Sequence, residues 1–250
     1  MDKRFEFQQL FPNLQWEVIM KMSDPELVNL CRSSHAMENF CNTREWFWRD
    51  RIKSKFNIDP SDPTIQQMLH NNGNSWFGVY FVLIRLSKLK EKLSPHLNQY
   101  NLPDLYNLQR LDLEGNKLTE LPSEIGNLIN LRELDLSNNR LLKLPSEIGQ
   151  LVNLRDLHIR NSQLTELPRE IGNLTNLETL YLTKNKLTEL PSEIGNLTNL
   201  HTLSLAYNKL TELPEEISNL TGLQSLYIMS NKFKSPGKIK QLLPNVYLHL

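Results

Sequence analysis

Between Leu108 and Phe233 the chain repeats every 23 residues with the pattern Leu-x-x-Leu-x-Leu-x-x-Asn-x-Leu. A unit of that length leaves an apolar edge that only another unit can cover, so the period commits the chain to a stacked solenoid. Leu108, Leu131, Leu154, Leu177, Leu200 and Leu223 open six units. Each places apolar residues three, five and ten positions later, from Leu111, Leu113 and Leu118 in the first to Leu226, Ile228 and Phe233 in the sixth. Side chains two apart share one side of a strand and those between them face the other way. The leucines therefore pack inward, and the intervening residues are free to bind.

The ninth position holds Asn116, Asn139, Asn185, Asn208 and Asn231. A side-chain amide there can donate to and accept from the turning backbone of adjacent coils, which spares buried peptide groups from being unpaired. The third unit departs: Ser162 stands at the ninth position and Asn161 one place earlier. A hydroxyl has fewer hydrogen-bonding groups than an amide, so a local weakness is expected there.

The rest of each unit reads Leu-Pro-x-Glu-Ile-Gly-x-Leu, as in Leu121 to Leu128. Proline suits the start of a helical turn, and glycine is expected to relieve strain where that turn stops. Brief helical or 3₁₀ turns should line the second side, with Ile125, Ile148, Ile171, Ile194 and Ile217 inward. Residues 105–234 resemble the leucine-rich repeat family, in its 23-residue intracellular type. The resemblance implies a curved stack whose parallel strands line a concave, partner-binding face.

With 28 basic and 28 acidic residues the net charge is zero, which gives no support for electrostatic binding to nucleic acid or to an anionic membrane. Met1 to Pro12 has no continuous apolar core of the kind a secretory signal needs. The longest apolar run, Trp76 to Ile84, is too short to span a bilayer. A cytoplasmic location is expected. Cys31 and Cys41 are the two cysteines. A disulfide and a pair of buried free thiols are both open, and free thiols are the expectation. The Asn-Leu-Thr sequons at Asn173, Asn196 and Asn219 are by-products of the repeat.

Before Asn101 the composition differs, and all four tryptophans fall there. Leu14, Val18, Ile19 and Met22 have the spacing of one helical face. Ser23-Asp24-Pro25-Glu26 offers a break followed by a helix start, and Leu27, Leu30 and Cys31 continue a second stripe. A third helix is expected from about Ala36 to Thr43, followed by Trp46-Phe47-Trp48. Phe11-Pro12, Val18-Ile19, Asp24-Pro25-Glu26-Leu27, Leu30-Cys31 and Phe47-Trp48 resemble the F-box, with Phe11 replacing that family's usual leucine. The following segment, with Trp76 and Tyr80, is similar to the N-terminal module of F-box proteins of giant DNA viruses, which implies a host cytoplasm. Val82, Leu86, Leu89 and Leu93 fall on one helical face that could seal the first repeat. At the other end Pro236 to Leu243 reads as a helix and Val246, Leu248 and Leu250 as a closing strand.

The expected fold is thus α/β: a small all-helical F-box-like domain (8–52), a helical linker and N-terminal cap (53–104), and a curved leucine-rich-repeat solenoid with a parallel concave sheet and a C-terminal cap (105–250). No catalytic signature or metal-ligand spacing appears, so neither an enzyme nor a cofactor is expected. The F-box resemblance implies docking on a Skp-family adaptor of a cullin ubiquitin ligase through Phe11, Pro12, Leu14, Val18, Ile19, Leu27 and Leu30. The alternative is a stand-alone scaffold whose helices only cap the repeats. The face expected to bind a target protein carries Asp112, Asp135, His158, Arg160, Tyr181, Tyr207, Tyr227 and Met229. Charge dominates its N-terminal half, and exposed tyrosine and methionine, which are enriched in interface cores, gather in its C-terminal half.

Overall fold

The computed structural model describes residues 22–33, 41, 45–234 and 236–249. The expected first helix except Met22, most of the third, and Leu250 lie outside them, as do Phe11, Pro12, Leu14, Val18 and Ile19. The chain divides into two compact units, Met1–Ile84 and Arg85–Leu250.

The described part of the first unit is helical. Helix α1 (Asp24–Arg32) starts where Ser23 donates both its N–H and its hydroxyl to the Glu26 carboxylate, at 2.8 and 2.6 Å. Helix α2 (Glu45–Phe56) brings Phe47, Trp48 and Ile52 into the core, and α3 (Pro63–Asn71) adds Ile65 and Met68. Asp62 caps α3 by accepting from Thr64 N–H at 2.8 Å. Trp48 organises this core: its ring lies 5.0 Å from Phe77 and 5.1 Å from Tyr80, and its indole N–H donates to the Cys41 carbonyl at 2.5 Å. Arg51 crosses the same core, donating to the Tyr80 hydroxyl and the Met22 carbonyl, each at 2.8 Å. Cys31 and Cys41, both buried, are joined in a disulfide with Cα atoms 5.9 Å apart. The free-thiol expectation is thereby corrected: spacing along the chain does not say whether two Cβ atoms come within reach of each other.

Helix α4 (Trp76–Lys92) ends in the second unit, where Leu86, Leu89 and Leu93 are buried. Lys92 meets Glu124 of the first repeat at 2.8 Å, so the end of α4 is tied to the start of the stack. After the short helix α5 (Leu102–Tyr106) come seven parallel strands in sequence order: β1 (Arg110–Asp112), β2 (Glu133–Asp135), β3 (Asp156–His158), β4 (Thr179–Tyr181), β5 (Thr202–Ser204), β6 (Ser225–Tyr227) and β7 (Tyr247–His249). Through β6 the partners stand 23 residues apart, as Leu111, Leu134, Leu157, Leu180, Leu203 and Leu226 do. The opposite side carries 3₁₀ turns at Ser123–Asn127, Ser146–Gln150, Arg169–Asn173, Ser192–Asn196 and Glu215–Asn219, each with its isoleucine fully buried. Strands pack about 4.8 Å apart and a 3₁₀ turn with its side chains is wider, so the stack curves with the sheet inside. Helix α6 (Pro236–Leu242) and β7 complete the C-terminal end.

The repeat glycines have another role than the one expected. A Cβ on Gly149, Gly172 or Gly195 would stand 2.5 Å from the carbonyl of Glu170, Glu193 or Glu216 in the next coil. Glycine is there because neighbouring turns touch. Where α6 replaces the next 3₁₀ turn, the position holds Ser218.

Two asparagine ladders tie the coils. At the ninth position Asn139 accepts from Leu118 N–H at 2.9 Å and donates to the Leu113 and Leu136 carbonyls at 2.8 and 2.9 Å. Asn185, Asn208 and Asn231 repeat this pattern. Ser162 keeps only the acceptor half, from Leu141 N–H at 3.0 Å. The second ladder lies just before the opening leucine: Asn130, Asn153, Asn176 and Asn199 donate to the carbonyls of Tyr106, Ile129, Val152 and Thr175 at 2.8–2.9 Å. Its first rung ends on α5, so the bond that links coil to coil also secures the cap.

Candidate interaction surface

Alternation along each strand sends position four inward and positions three and five outward, and the parallel register turns equivalent outward residues into rows. The central row runs Asp112, Asp135, His158, Tyr181, Ser204, Tyr227, His249. Two residues beyond it along the chain stand Glu114, Ser137, Arg160, Thr183, Ala206 and Met229.

Within these rows the N-terminal half is ionic. Asp112 and Asp135 each accept a hydrogen bond from the backbone N–H two residues on, at 2.9 and 2.8 Å, which fixes their carboxylates at the sheet surface. Asp135 also faces His158 Nδ1 at 3.5 Å. Beside the rows Arg110 reaches Glu133, and Arg155 reaches Glu178. The hydrogen bond that Arg110 donates to Glu133, and the charge of that carboxylate, hold the guanidinium above its ordinary pKa. In the C-terminal half the contacts are aromatic. Tyr181 has the His158 ring edge-on at 5.0 Å and the Arg160 guanidinium 3.9 Å over its face. Tyr227 stacks on His249 at 3.8 Å. The Lys184 ammonium lies 5.9 Å from the Tyr207 ring centroid.

Seven of the eight residues expected on this face stand in these two rows, and Tyr207 follows Ala206; the contacts among them make two neighbourhoods. Asp135, His158, Tyr181 and Arg160 form a connected chain of contacts, and Tyr227 belongs to a separate group with His249 and Tyr247. These last two extend the surface beyond the expected residues, and the outward alternation of the closing strand was the signal that carried them. Of the residues expected to contact an adaptor, two lie within the described part: Leu27 is buried in the core of the first unit and Leu30 is half-buried.

A backbone feature of this face is absent from the sequence pattern. The residue before the ninth position has a positive φ in all six repeats: Gly115, Asn138, Asn161, Lys184, Tyr207 and Ser230. Glycine and asparagine adopt that left-handed conformation readily, whereas a tyrosine there is under strain. Tyr207 is nonetheless 49% exposed.

Among the described residues no group of three or more histidine, cysteine, aspartate or glutamate side chains could hold a metal ion, and no helix is long and apolar enough to cross a membrane.

The profile of the family described as leucine-rich repeat region matches residues 69–180 and 146–244. The chain belongs to the leucine-rich repeat family, whose members are typically scaffolds that bind other proteins rather than catalysts. Among solved structures it is similar to a leucine-rich repeat protein of Leptospira interrogans, with 31% identity over 57% of this chain and 55% of that one, at a TM-score of 0.37. It is also similar to a TDR receptor, with 35% identity over 52% of this chain and 23% of that one, at a TM-score of 0.46. The chain therefore spans about half of the first protein and under a quarter of the second. No curated protein matches significantly.

Proposed function

We propose that this chain is the substrate-recognition subunit of a cullin-type ubiquitin ligase in the cytoplasm, a host cytoplasm if its source is a virus. In this reading 8–52 is an F-box-like domain that docks on a Skp-family adaptor through Phe11, Pro12, Leu14, Val18, Ile19 and Leu30, and in which Leu27 is a core residue rather than a contact. Residues 53–104 are linker and cap, and the repeats hold a target protein by their concave face. The mechanism is proximity: the target is kept where the ligase transfers ubiquitin, and this chain supplies no reacting group.

What supports the reading is the pairing of two unlike units, a helical one whose sequence resembles an F-box and a solenoid whose outward rows carry charged and aromatic side chains. The disulfide favours a second reading, a stand-alone scaffold with a helical cap, because such bonds persist in oxidising compartments and are rare in the cytosol.

Calorimetry of the full chain with a purified Skp-family adaptor tests the choice, with the triple variant Pro12→Ala, Val18→Ala, Ile19→Ala as control. Binding that is lost in the variant supports the ligase subunit. Absence of binding by the unaltered chain leaves the scaffold.

A further inference from the structure

Strand β5 and the residues that follow it make a low strip in the concave face. Ser204, at the end of β5, and Ala206, two residues on, are 5% and 4% exposed, whereas their neighbours Tyr181, Thr183, Tyr227 and Met229 are half-buried. The tyrosines that flank the strip take their ring partners on the far side from it: Tyr181 packs on His158 and Arg160 of the preceding coil, and Tyr227 on His249 of the following strand. Two strand spacings separate them, about 10 Å, and the strip between is floored by small side chains. The Ser204 hydroxyl already shares a hydrogen bond with Thr183 at 2.6 Å, so the floor offers little free polarity.

Charge within the three stretches that form the strip and its two flanks has one sign. From Thr179 to Lys186, Thr202 to Lys209 and Ser225 to Lys232 the chain carries Lys184, Lys186, Lys209 and Lys232 and no carboxylate, whereas the matching stretches of the first three repeats carry Asp112, Glu114, Glu133, Asp135 and Asp156. All four lysines are exposed. The nearest acid along the chain, Glu178, immediately precedes the first of these stretches and is paired with Arg155 at 3.3 Å; Glu189 and Glu212 come later, in the Leu-Pro segments, where Glu189 lines a cleft with Pro168 and Pro191. Tyr207 stands beside the strip in the left-handed conformation that the first three repeats give to glycine or asparagine. A bulky residue kept exposed at a strained position, with a lysine against its ring, is spent on contact rather than on the fold.

Building on the reading that the repeats bind a protein, we propose that the β5 strip is the specificity site and that it takes an acidic segment of the partner bearing one aromatic or leucine side chain. The apolar side chain lies between Tyr181 and Tyr227 over Ser204 and Ala206, Tyr207 closes over it, and the flanking carboxylates meet the lysines.

The test is selection of random linear peptides displayed on phage against the full chain, followed by affinity measurements on the enriched peptides. The expected consensus is an aromatic or leucine residue among aspartates and glutamates. Ala206→Phe, which fills the strip, and the surface pair Lys184→Glu, Lys209→Glu should each weaken binding at least about tenfold. Tyr207→Asn should weaken it while leaving thermal stability equal or higher, a split that a structural role for the tyrosine does not give. A basic or neutral consensus, or acidic peptides that bind these variants as well as the unaltered chain, overturns the proposal. Peptides lost only on Asp112→Ala or Asp135→Ala sink the strip and keep the concave face as the binding surface. If nothing is enriched, the strip and the protein-binding reading of the repeats fall together.

Discussion

In the repeats, nearly every buried amide side chain has a copy of itself 23 residues away, whereas Trp48 of the first unit has none. Asn139, Asn185, Asn208 and Asn231 make the same bonds to the same backbone atoms of successive coils, so one lost rung leaves the others in place. Around Trp48 a single indole contacts Phe77 and Tyr80 and satisfies the Cys41 carbonyl. A solenoid divides its stability among nearest-neighbour interfaces, while a small helical unit concentrates it in a few irreplaceable side chains.

Trp48→Ala should break the comparison most visibly. It removes a buried ring and strands a carbonyl, and we expect about 3–5 kcal/mol of lost stability in the first unit. Hydrogen exchange should rise throughout α2 and α3. An equal loss of protection at Leu180, in the middle of the sheet, would show that stability is not held unit by unit.

Next in size is the disulfide. Cys31 and Cys41 close a loop of ten residues, for which chain entropy gives about 3 kcal/mol. Mild reduction, or Cys31→Ser, should lower the first unit's stability by about that amount. Alkylation of the chain inside a reducing cytosol decides what this means for function: two modified cysteines fit the ligase reading, and two protected ones fit a scaffold in an oxidising compartment.

Much of this contrast was legible in the sequence. A period of 23 fixes which leucines meet, because equivalent residues in stacked coils must become neighbours, and so β1 to β6, the 3₁₀ turns and the rows of the concave face all follow from register. What periodicity hides is a cause that lies between coils. The glycine of Glu-Ile-Gly looks like a helix stop and is in fact a point of close approach. The second asparagine ladder repeats as faithfully as the first, yet nothing in its spacing distinguishes it from surface polarity. The left-handed backbone at Tyr207 is equally hidden, since tyrosine is a poor marker for it. In the first unit no period exists, so the distance between Cys31 and Cys41 could not be read. The surface residues were legible as a set; their division into an ionic and an aromatic neighbourhood depends on which way each ring leans.

Gly172→Ala sharpens the close-approach argument. The added Cβ must displace the Glu193 carbonyl in the next coil, and overpacking of this kind costs about 1–3 kcal/mol. Ser218→Ala, at the one repeat position without a following 3₁₀ turn, should cost clearly less in the same denaturation experiment. Equal losses would return the glycine to its role as a helix stop.

Ser162→Asn runs the other way. It restores the missing donor next to the Leu136 and Ile159 carbonyls, and about 1 kcal/mol of added stability is expected by urea denaturation. Because Asn185 already donates to the Ile159 carbonyl at 2.6 Å, the gain should stay below the loss on Asn139→Ala, which leaves several buried groups unpaired.

The smallest effect lies where α4 meets the first repeat. Partial burial of Glu124 works against its charge, but the hydrogen bond from Lys92, a backbone hydrogen bond and the Lys92 and Lys88 charges outweigh it, so its pKa is held below the ordinary carboxylate value. A carboxyl whose folded pKa is depressed contributes stability that is present above its unfolded pKa and is lost as pH falls through the folded one. Lys92 is half exposed, which limits the contribution to less than about 1 kcal/mol. Denaturation of the unaltered chain and of Glu124→Gln should therefore differ by a constant amount at neutral pH and converge in acid. A difference that persists below the folded pKa would mean that the glutamate holds the cap by packing alone, and that this junction, like the neutral ladders that follow it, owes nothing to charge.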